Sequence, residues 1–205
     1  LTVNYSRENR VFTSRKRAIY MILIACSMNA MLSILVYFFK LPMWLDTVGT
    51  IYISIIMGSS FGFCTGLVNN VVFSGFLYGY NSMSYYFVSY LVALVVGNYS
   101  KKHHQRNFRY WTAMCILIFL VSVPTASIFS LLLDGGIPAD YWGEKLYALA
   151  QSYSCPHLIA TIISVAIIKA IDVLVSVIIV YFAIKFTPDK LLTDKHCVDL
   201  YKVRG

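Results

Sequence analysis

The chain has 205 residues and a formal net charge of +8 at pH 7, with 59% hydrophobic and only 13% charged residues. Its mean hydropathy is +0.68, and this combination excludes an ordinary soluble domain, in which roughly 25% of the residues are charged. The sequence therefore predicts an all-α, polytopic membrane protein whose apolar runs of ~20 residues cross the bilayer as helices.

Six apolar runs follow one another along the chain. They predict spans near residues 18–39, 45–58, 60–77, 84–99, 111–133 and 159–186. The second run is short: about 14 residues rise only about 21 Å as a helix. It either spans by itself or forms one broken hairpin with the third run around the MGSSFG sequence. Short or broken helices at membrane depth are expected to line a cavity or to lie inside the protein.

Basic residues collect before the first run, after the fourth and after the sixth. The positive-inside rule places all three segments in the cytoplasm, and six spans are consistent with this arrangement. We expect a basic cytoplasmic segment at 1–17, a six-helix membrane domain at 18–188 and a cytoplasmic tail at 189–205. The first run is too long for the core of a signal peptide, so it is interpreted as a retained helix. The net positive charge is then explained by the predicted cytoplasmic segments and does not predict nucleic-acid binding.

Several kinds of chemistry have no motif in this sequence. It contains no GxxxxGK[ST] phosphate loop, so any energy from ATP must come from a partner protein. No HExxH motif or Ser/His/Asp arrangement is present, and we expect a protein that is not an enzyme and needs no cofactor. The five cysteines are scattered, which favours packing roles over disulfides or a zinc site.

The third run, GFCTGLVNNVVFSGF, combines spaced glycines with two adjacent asparagines. Small residues four apart let helix backbones approach closely. Asn69 and Asn70 point about 100° apart on a helix, so at least one of them should face protein or a cavity. Packing alone and the lining of a cavity both remain open interpretations of this run.

The last run places Lys169 and Asp172 among apolar residues. A charge near the bilayer centre costs at least about 2.5 kcal/mol, so it normally faces protein, a partner charge or a cavity. Three residues apart on a helix, the two side chains share a face and can pair. Either they only neutralise each other, or Lys169 also meets an anion or carbonyl of a ligand in an outward-opening pocket.

The predicted outer edge is rich in aromatic and carboxamide residues. Interfacial belts of Trp and Tyr account for most of them, and the remainder could stack on a planar ligand. The long outer segment DGGIPADYWGEKLYALAQSYSCPH is either a lid or a plain connector. Within it, YWGEKLYALAQSY has the periodicity of a helix that lies along the surface.

Two stretches of the chain resemble a known family. In WLDTVGTIYISIIMGSSFGFCTGLVNN, residues 44–70, an Asp opens a short second helix and a glycine-spaced third helix follows. In IDVLVSVIIVYFAIKFTP, residues 171–188, the last helix ends at a Pro. In the order of these features and in the predicted span count, residues 18–188 resemble the substrate-binding S components of energy-coupling factor (ECF) vitamin transporters.

The resemblance implies a subunit of the prokaryotic plasma membrane that captures a vitamin or related small molecule from outside. A membrane coupling subunit with two ATPase subunits then drives its release inward. The family's first helix often offers an Ala-x-x-x-Ala face to the coupling subunit, and the nearest match here is Cys26-x-x-x-Ala30 with Ala25 beside it. The ligand region, mapped by topology, contains Trp44, Asp46, Asn70, Tyr85, Tyr86, Trp142, Gln151, His157 and Lys169.

The sequence does not select one vitamin, although aromatic residues in the mapped region favour a planar ring. A membrane sensor domain is the alternative, because LLTDKHCVDLYKVRG could run on into a cytoplasmic signalling region. A membrane enzyme acting on lipid is the weakest hypothesis, since no catalytic arrangement supports it.

Overall fold

Every regular element that the structure describes is a helix. The computed structural model describes the backbone of residues 2–75, 79–103 and 107–187, so the predicted tail at 189–205 lies outside the described residues. The α-helices are α1 (Thr2–Phe39), α2 (Val48–Met57), α3 (Ser59–Val68), α4 (Tyr86–Lys102), α5 (Phe108–Leu133), α6 (Tyr141–Ser152) and α7 (His157–Phe186). A π-helical turn, Asn69–Ser74, continues α3, and a 3₁₀ turn, Tyr80–Tyr85, precedes α4.

Three of these helices are long and apolar enough to cross a membrane: residues Lys16–Phe39 of α1, then α5 and α7. Large apolar side chains such as Leu23, Leu132 and Phe182 remain exposed on them, as expected for surfaces that meet lipid tails. The prediction of a helical chain with helices able to cross a membrane is thereby confirmed for the described residues. The backbone of the predicted basic segment at 1–17 is continuous with α1 from Thr2 onward.

The short second helix lies at the centre of the bundle. In α2 every residue from Val48 to Ile56 is buried, and the helix packs against α1, α3, α4 and α7. This explains its length, because a helix surrounded by other helices does not need to match the thickness of the bilayer. Gly58 separates α2 from α3 with φ 99°, a conformation that only glycine adopts readily, so the two helices form the broken hairpin that MGSSFG suggested.

Close backbone approach sets the packing of α1 on α2. A Cβ atom added to Gly49 would overlap the carbonyl oxygen of Ala25. Asn29 fixes the same contact, because its Oδ1 accepts from the Gly49 N–H at 2.6 Å and its Nδ2 donates to Thr50 Oγ1 at 3.2 Å. A buried amide that bridges two helices in this way sets their relative position as well as their distance.

The predicted coupling-subunit interface needs correction. Ala25, Cys26 and Ala30 are 0%, 7% and 8% exposed, so they form no outward-facing surface. Small residues on this face of α1 instead let the helix pack closely inside the bundle.

The surface helix predicted in the long outer segment is present as α6. Its N-cap is Asp140, whose Oδ2 accepts from the Gly143 N–H at 2.9 Å. Gly143 is its only buried residue, and the helix packs along α7. Trp142 ties α6 to the end of α1, since its indole N–H donates to the Lys40 carbonyl at 2.6 Å.

Replacing Gly49 by Ala should lower the free energy of unfolding by about 1–3 kcal/mol, because the added methyl group overpacks the α1–α2 contact. Thermal unfolding in detergent measures this change. Ser27→Ala, on the exposed side of α1, is the control and should leave the melting temperature unchanged. Equal melting temperatures for the two variants would contradict the proposed close contact.

Candidate functional site

A cavity of about 160 Å³ lies at the end of the bundle where α1 and α5 end and α7 begins. We call it the central cavity. It is lined by Ser33, Trp44, Asp46, Asn70, Tyr85, Val88, Ala126, Ser130, Asp134, Pro138, Ala139, Asp140, Val165 and Lys169. An engineered protein cavity of about 150 Å³ holds one benzene molecule, so this volume suits a compact ligand of about one ring.

Lys169 and Asp172 form a buried ion pair beside the cavity. Lys169 Nζ lies 2.9 Å from Asp172 Oδ2, and the two side chains are 5% and 1% exposed. The pairing expected from their i,i+3 spacing is thus present. Each charge lowers the free-energy cost of burying the other in an apolar bundle.

Asp172 has a second task, which is to hold the loop between α1 and α2. Its other oxygen, Oδ1, accepts from the backbone N–H groups of Trp44 at 3.1 Å and Leu45 at 2.7 Å. Leu45 has φ 51°, a left-handed conformation that costs a non-glycine residue about 1 kcal/mol or more. Charge-assisted hydrogen bonds to this carboxylate stabilise that conformation.

Trp44 then covers the ion pair. The ammonium of Lys169 lies 4.2 Å from the centroid of the Trp44 indole ring, within the range of a cation–π contact. The same residue therefore binds Asp172 through its backbone and Lys169 through its side chain. Asp46 and Asp140 also act on the Lys169 ammonium electrostatically. Lys169 is accordingly enclosed by negative groups and an aromatic face.

The two adjacent asparagines make different contacts, as expected from their divergent directions on a helix. Asn69 Nδ2 donates to the Asp46 carbonyl at 3.2 Å and so also supports the α1–α2 loop. Asn70 lines the central cavity, with its Nδ2 held by the Gly66 carbonyl at 2.9 Å and by Ser89 Oγ at 2.8 Å. Both lie in the π-helical turn, a distortion that is frequent at functional sites.

Five buried polar atoms of residues at the cavity wall have no hydrogen-bond partner in the described part of the chain: Ser33 Oγ, Asp46 Oδ1, Asn70 Oδ1, Ser130 Oγ and Asp140 Oδ1. Ser33 and Asn70 are 2% and 1% exposed. Leaving a buried polar atom unsatisfied costs about 1–3 kcal/mol. A molecule bound in the cavity would satisfy such atoms.

The remaining polar wall consists of Tyr85, Asp134 and Asp140. Tyr85 Oη donates to Asp134 Oδ2 at 2.7 Å. Burial raises the pKa of the Asp140 carboxyl, and the Gly143 N–H offsets part of that effect.

Five of the nine ligand-site residues predicted from the sequence meet at this cavity: Trp44, Asp46, Asn70, Tyr85 and Lys169. Their role in binding a ligand stays a prediction.

The other four predicted residues lie outside the cavity wall. The Tyr86 ring packs on Phe87, with centroids 4.3 Å apart, and Trp142 binds the Lys40 carbonyl. Gln151 donates to the Cys155 carbonyl at 3.0 Å, and His157 Nδ1 lies 2.6 Å from Tyr147 Oη. The structure does not bring these four side chains to the cavity, because topology locates the end of a helix but not the direction of each side chain, and their role in binding a ligand stays a prediction.

Sequence reasoning missed several wall residues. Asp134 and Asp140 could have been selected as candidate wall residues, since they flank the Gly-Gly and Pro turn that follows α5. Ser33 appeared as a single small polar residue in an apolar run, which is common in membrane helices. Val88, Ala126 and Val165 gave no signal, because only the packing of α4, α5 and α7 turns them toward the cavity.

Comparison of the chain with protein-family models, curated proteins and solved structures gave no match in any of the three. Arguments about function therefore rest on the residues of this chain and on the geometry of the central cavity.

Lys169→Met should lower the free energy of unfolding by about 3–5 kcal/mol, because it leaves the buried Asp172 carboxylate without a counter-charge. Adding Asp172→Asn should recover most of that loss, since a carboxamide oxygen still accepts from the Trp44 and Leu45 N–H groups. Adding Asp172→Leu should recover less, because it removes both the charge and the acceptor.

Denaturation of the three variants in one detergent gives the comparison. Equal recovery with Asn and Leu would show that Asp172 neutralises Lys169 but does not hold the α1–α2 loop.

Proposed function

We propose that this protein captures a compact small molecule in the central cavity, as the substrate-binding S component of an ECF-type ABC importer. The observation that carries the proposal is the set of buried, unpartnered polar atoms around a cavity of about 160 Å³. A ligand that satisfies these buried atoms adds hydrogen bonds that the protein does not make by itself, and so stabilises the bundle. The cavity suits a vitamin-like ring compound or a fragment of one.

The proposed topology has six spans and cytoplasmic termini. In it, α1, α5 and α7 cross the membrane fully, α2 and α3 with its π-helical turn supply two shorter spans, and α4 supplies the sixth. Basic residues near helix ends support this orientation, because Lys16, Lys101, Arg109 and Lys185 all lie at the end of the bundle opposite the cavity. The cavity then belongs to the outer half of the protein.

Uptake in this proposal needs partners. A membrane coupling subunit and two ATPase subunits supply the energy, since the chain has no phosphate loop and performs no chemistry on the ligand. The coupling subunit has to bind an exposed surface of the bundle. Ala25, Cys26 and Ala30 are buried and do not provide that surface.

A screen of vitamins and their ring precursors tests the capture function. At a concentration of 100 times its Kd, a true ligand should raise the free energy of unfolding by about 2.7 kcal/mol. Native mass spectrometry of the purified protein identifies a ligand that is retained.

Ala126→Phe fills the cavity and should abolish this stabilisation, whereas Ile128→Phe on the exposed side of α5 should preserve it. No thermal shift with any compound and no retained mass would count decisively against the capture function.

Ala30→Leu tests the corrected role of the small residues on α1. Because Ala30 is buried, a larger side chain should lower stability by about 1–3 kcal/mol and weaken ligand capture and partner binding together. Ser27→Leu, on the exposed side of the same helix, should leave stability and capture unchanged. Melting temperature, ligand binding and a pull-down with the coupling module are measured for both. Selective loss of partner binding in a stable Ala30→Leu protein would restore the interface first predicted.

A further inference from the structure

The central cavity has an imbalance of charge. Three carboxylates line it, those of Asp46, Asp134 and Asp140, and Lys169 is the only cation among its described lining residues. The ammonium of Lys169 is already paired with Asp172 at 2.9 Å, and Asp172 lies behind it, outside the cavity wall. The cavity wall thus carries three carboxyl groups against one ammonium, and that ammonium is shared with a fourth carboxylate.

Lys169 is poorly placed to receive an anion. Its ammonium donates to Asp172 Oδ2 and faces the Trp44 ring, and the nearby Asp46 and Asp140 also act on it. A ligand carboxylate or phosphate in the cavity would meet Asp46, Asp134 and Asp140 as well, and like charges repel strongly where water is excluded.

The unpartnered atoms point to the same kind of ligand. Asn70 Oδ1 only accepts hydrogen bonds, as does Asp46 Oδ1 in the ionised carboxylate, and Ser33 Oγ can accept as well as donate. Asn70 cannot present its N–H₂ group to a ligand without breaking its bonds to the Gly66 carbonyl and Ser89 Oγ. The wall therefore requires a molecule that brings N–H or O–H donors.

A metal ion does not meet this requirement. No group of three His, Cys, Asp or Glu residues in the described part of the chain is arranged to hold one. The volume also exceeds what a single ion needs and suits about one ring. Trp44 and Tyr85 provide aromatic surface beside the carboxylates, which is favourable for a flat or cationic group.

We propose that the central cavity selects a compact organic cation, a single-ring molecule carrying a protonated amine, an amidinium or a comparable N–H donor group, and that it rejects anions. This inference rests on the proposed capture function and specifies its substrate class. The cationic group lies near Asp46 Oδ1 and Asn70 Oδ1, and the ring lies toward Trp44 and Tyr85. Lys169 acts as a positioning residue: together with Asp172 it holds the loop that carries Trp44 and Asp46.

The pKa of one cavity carboxyl agrees with this assignment. Burial raises the pKa of Asp140 above its usual value, and the Gly143 N–H and then Lys169 oppose that shift only in part. The ionised form of this carboxyl is thus costly, because burial removes it from water. A bound cation supplies further counter-charge and favours the ionised form.

Three probes of nearly equal size separate charge from shape: benzamidine, which is an amidinium at pH 7.5, its neutral isostere benzamide, and benzoate. Isothermal titration calorimetry of the full chain in nanodiscs should give benzamidinium an affinity about tenfold or more above that of benzamide, and no measurable binding of benzoate. Asp46→Asn should lower the benzamidinium affinity about tenfold and leave that of benzamide within about threefold.

Glu144→Gln is the matched control, because it removes the same charge from the exposed face of α6 and should change neither affinity. Asp140→Asn serves as a second cavity variant if Asp46→Asn does not fold, since Asn also caps helices well. Thermal unfolding of each variant verifies the fold.

The inference is overturned if benzamide or benzoate binds as tightly as benzamidinium, if Asp46→Asn behaves like Glu144→Gln, or if none of the three probes binds. The vitamin screen decides the capture function separately. A neutral or anionic vitamin that binds the wild-type protein and fails to bind Ala126→Phe would sustain capture while refuting cation selection.

Discussion

The structure depends on one buried carboxylate. Asp172 accepts from Lys169 and from the backbone N–H groups of Trp44 and Leu45, so α7 and the α1–α2 loop meet at a single side chain. A charge in this position is tolerable only when its oxygens are satisfied by charged or well-directed donors. Because the loop carries both Trp44 and Asp46 to the cavity, this one group positions two residues of the cavity wall.

The helices around α2 provide the rigid frame for that wall. The first helix is fixed against the buried α2 by the close contact between Ala25 and Gly49 and by the side-chain amide of Asn29. The small residues of α1 pack inside the bundle, and they are therefore not exposed to a partner. Because the middle of the bundle is tightly packed, the free volume lies at one end, where the loops and the ends of the helices meet.

The unmet hydrogen-bond capacity of the cavity gives the strongest physical reason to expect a ligand. The cavity is bordered by buried atoms without hydrogen-bond partners, among them those of Ser33, Asp46 and Asn70. Leaving such atoms unsatisfied costs folding free energy. The surrounding carboxylates add a preference for positive charge, because Lys169 is already committed to Asp172. In such a site the ligand completes a network that the protein leaves open.

The sequence by itself determined the helical class with helices long enough to cross a membrane, the breaks at Gly58 and after α5, the surface helix α6, and the pairing of Lys169 with Asp172. These features depend on composition, on local backbone preferences or on residues three apart on one helix, and all of that is readable along the chain. Only the tertiary structure decided that Asp172 holds the loop 127 residues away and that small residues of α1 face inward. The same packing turned Ser33, Asp134 and Asp140 toward one cavity and left Gln151 and His157 outside it. The direction of a side chain in a bundle depends on how the helices rotate against one another, and no local pattern encodes that rotation.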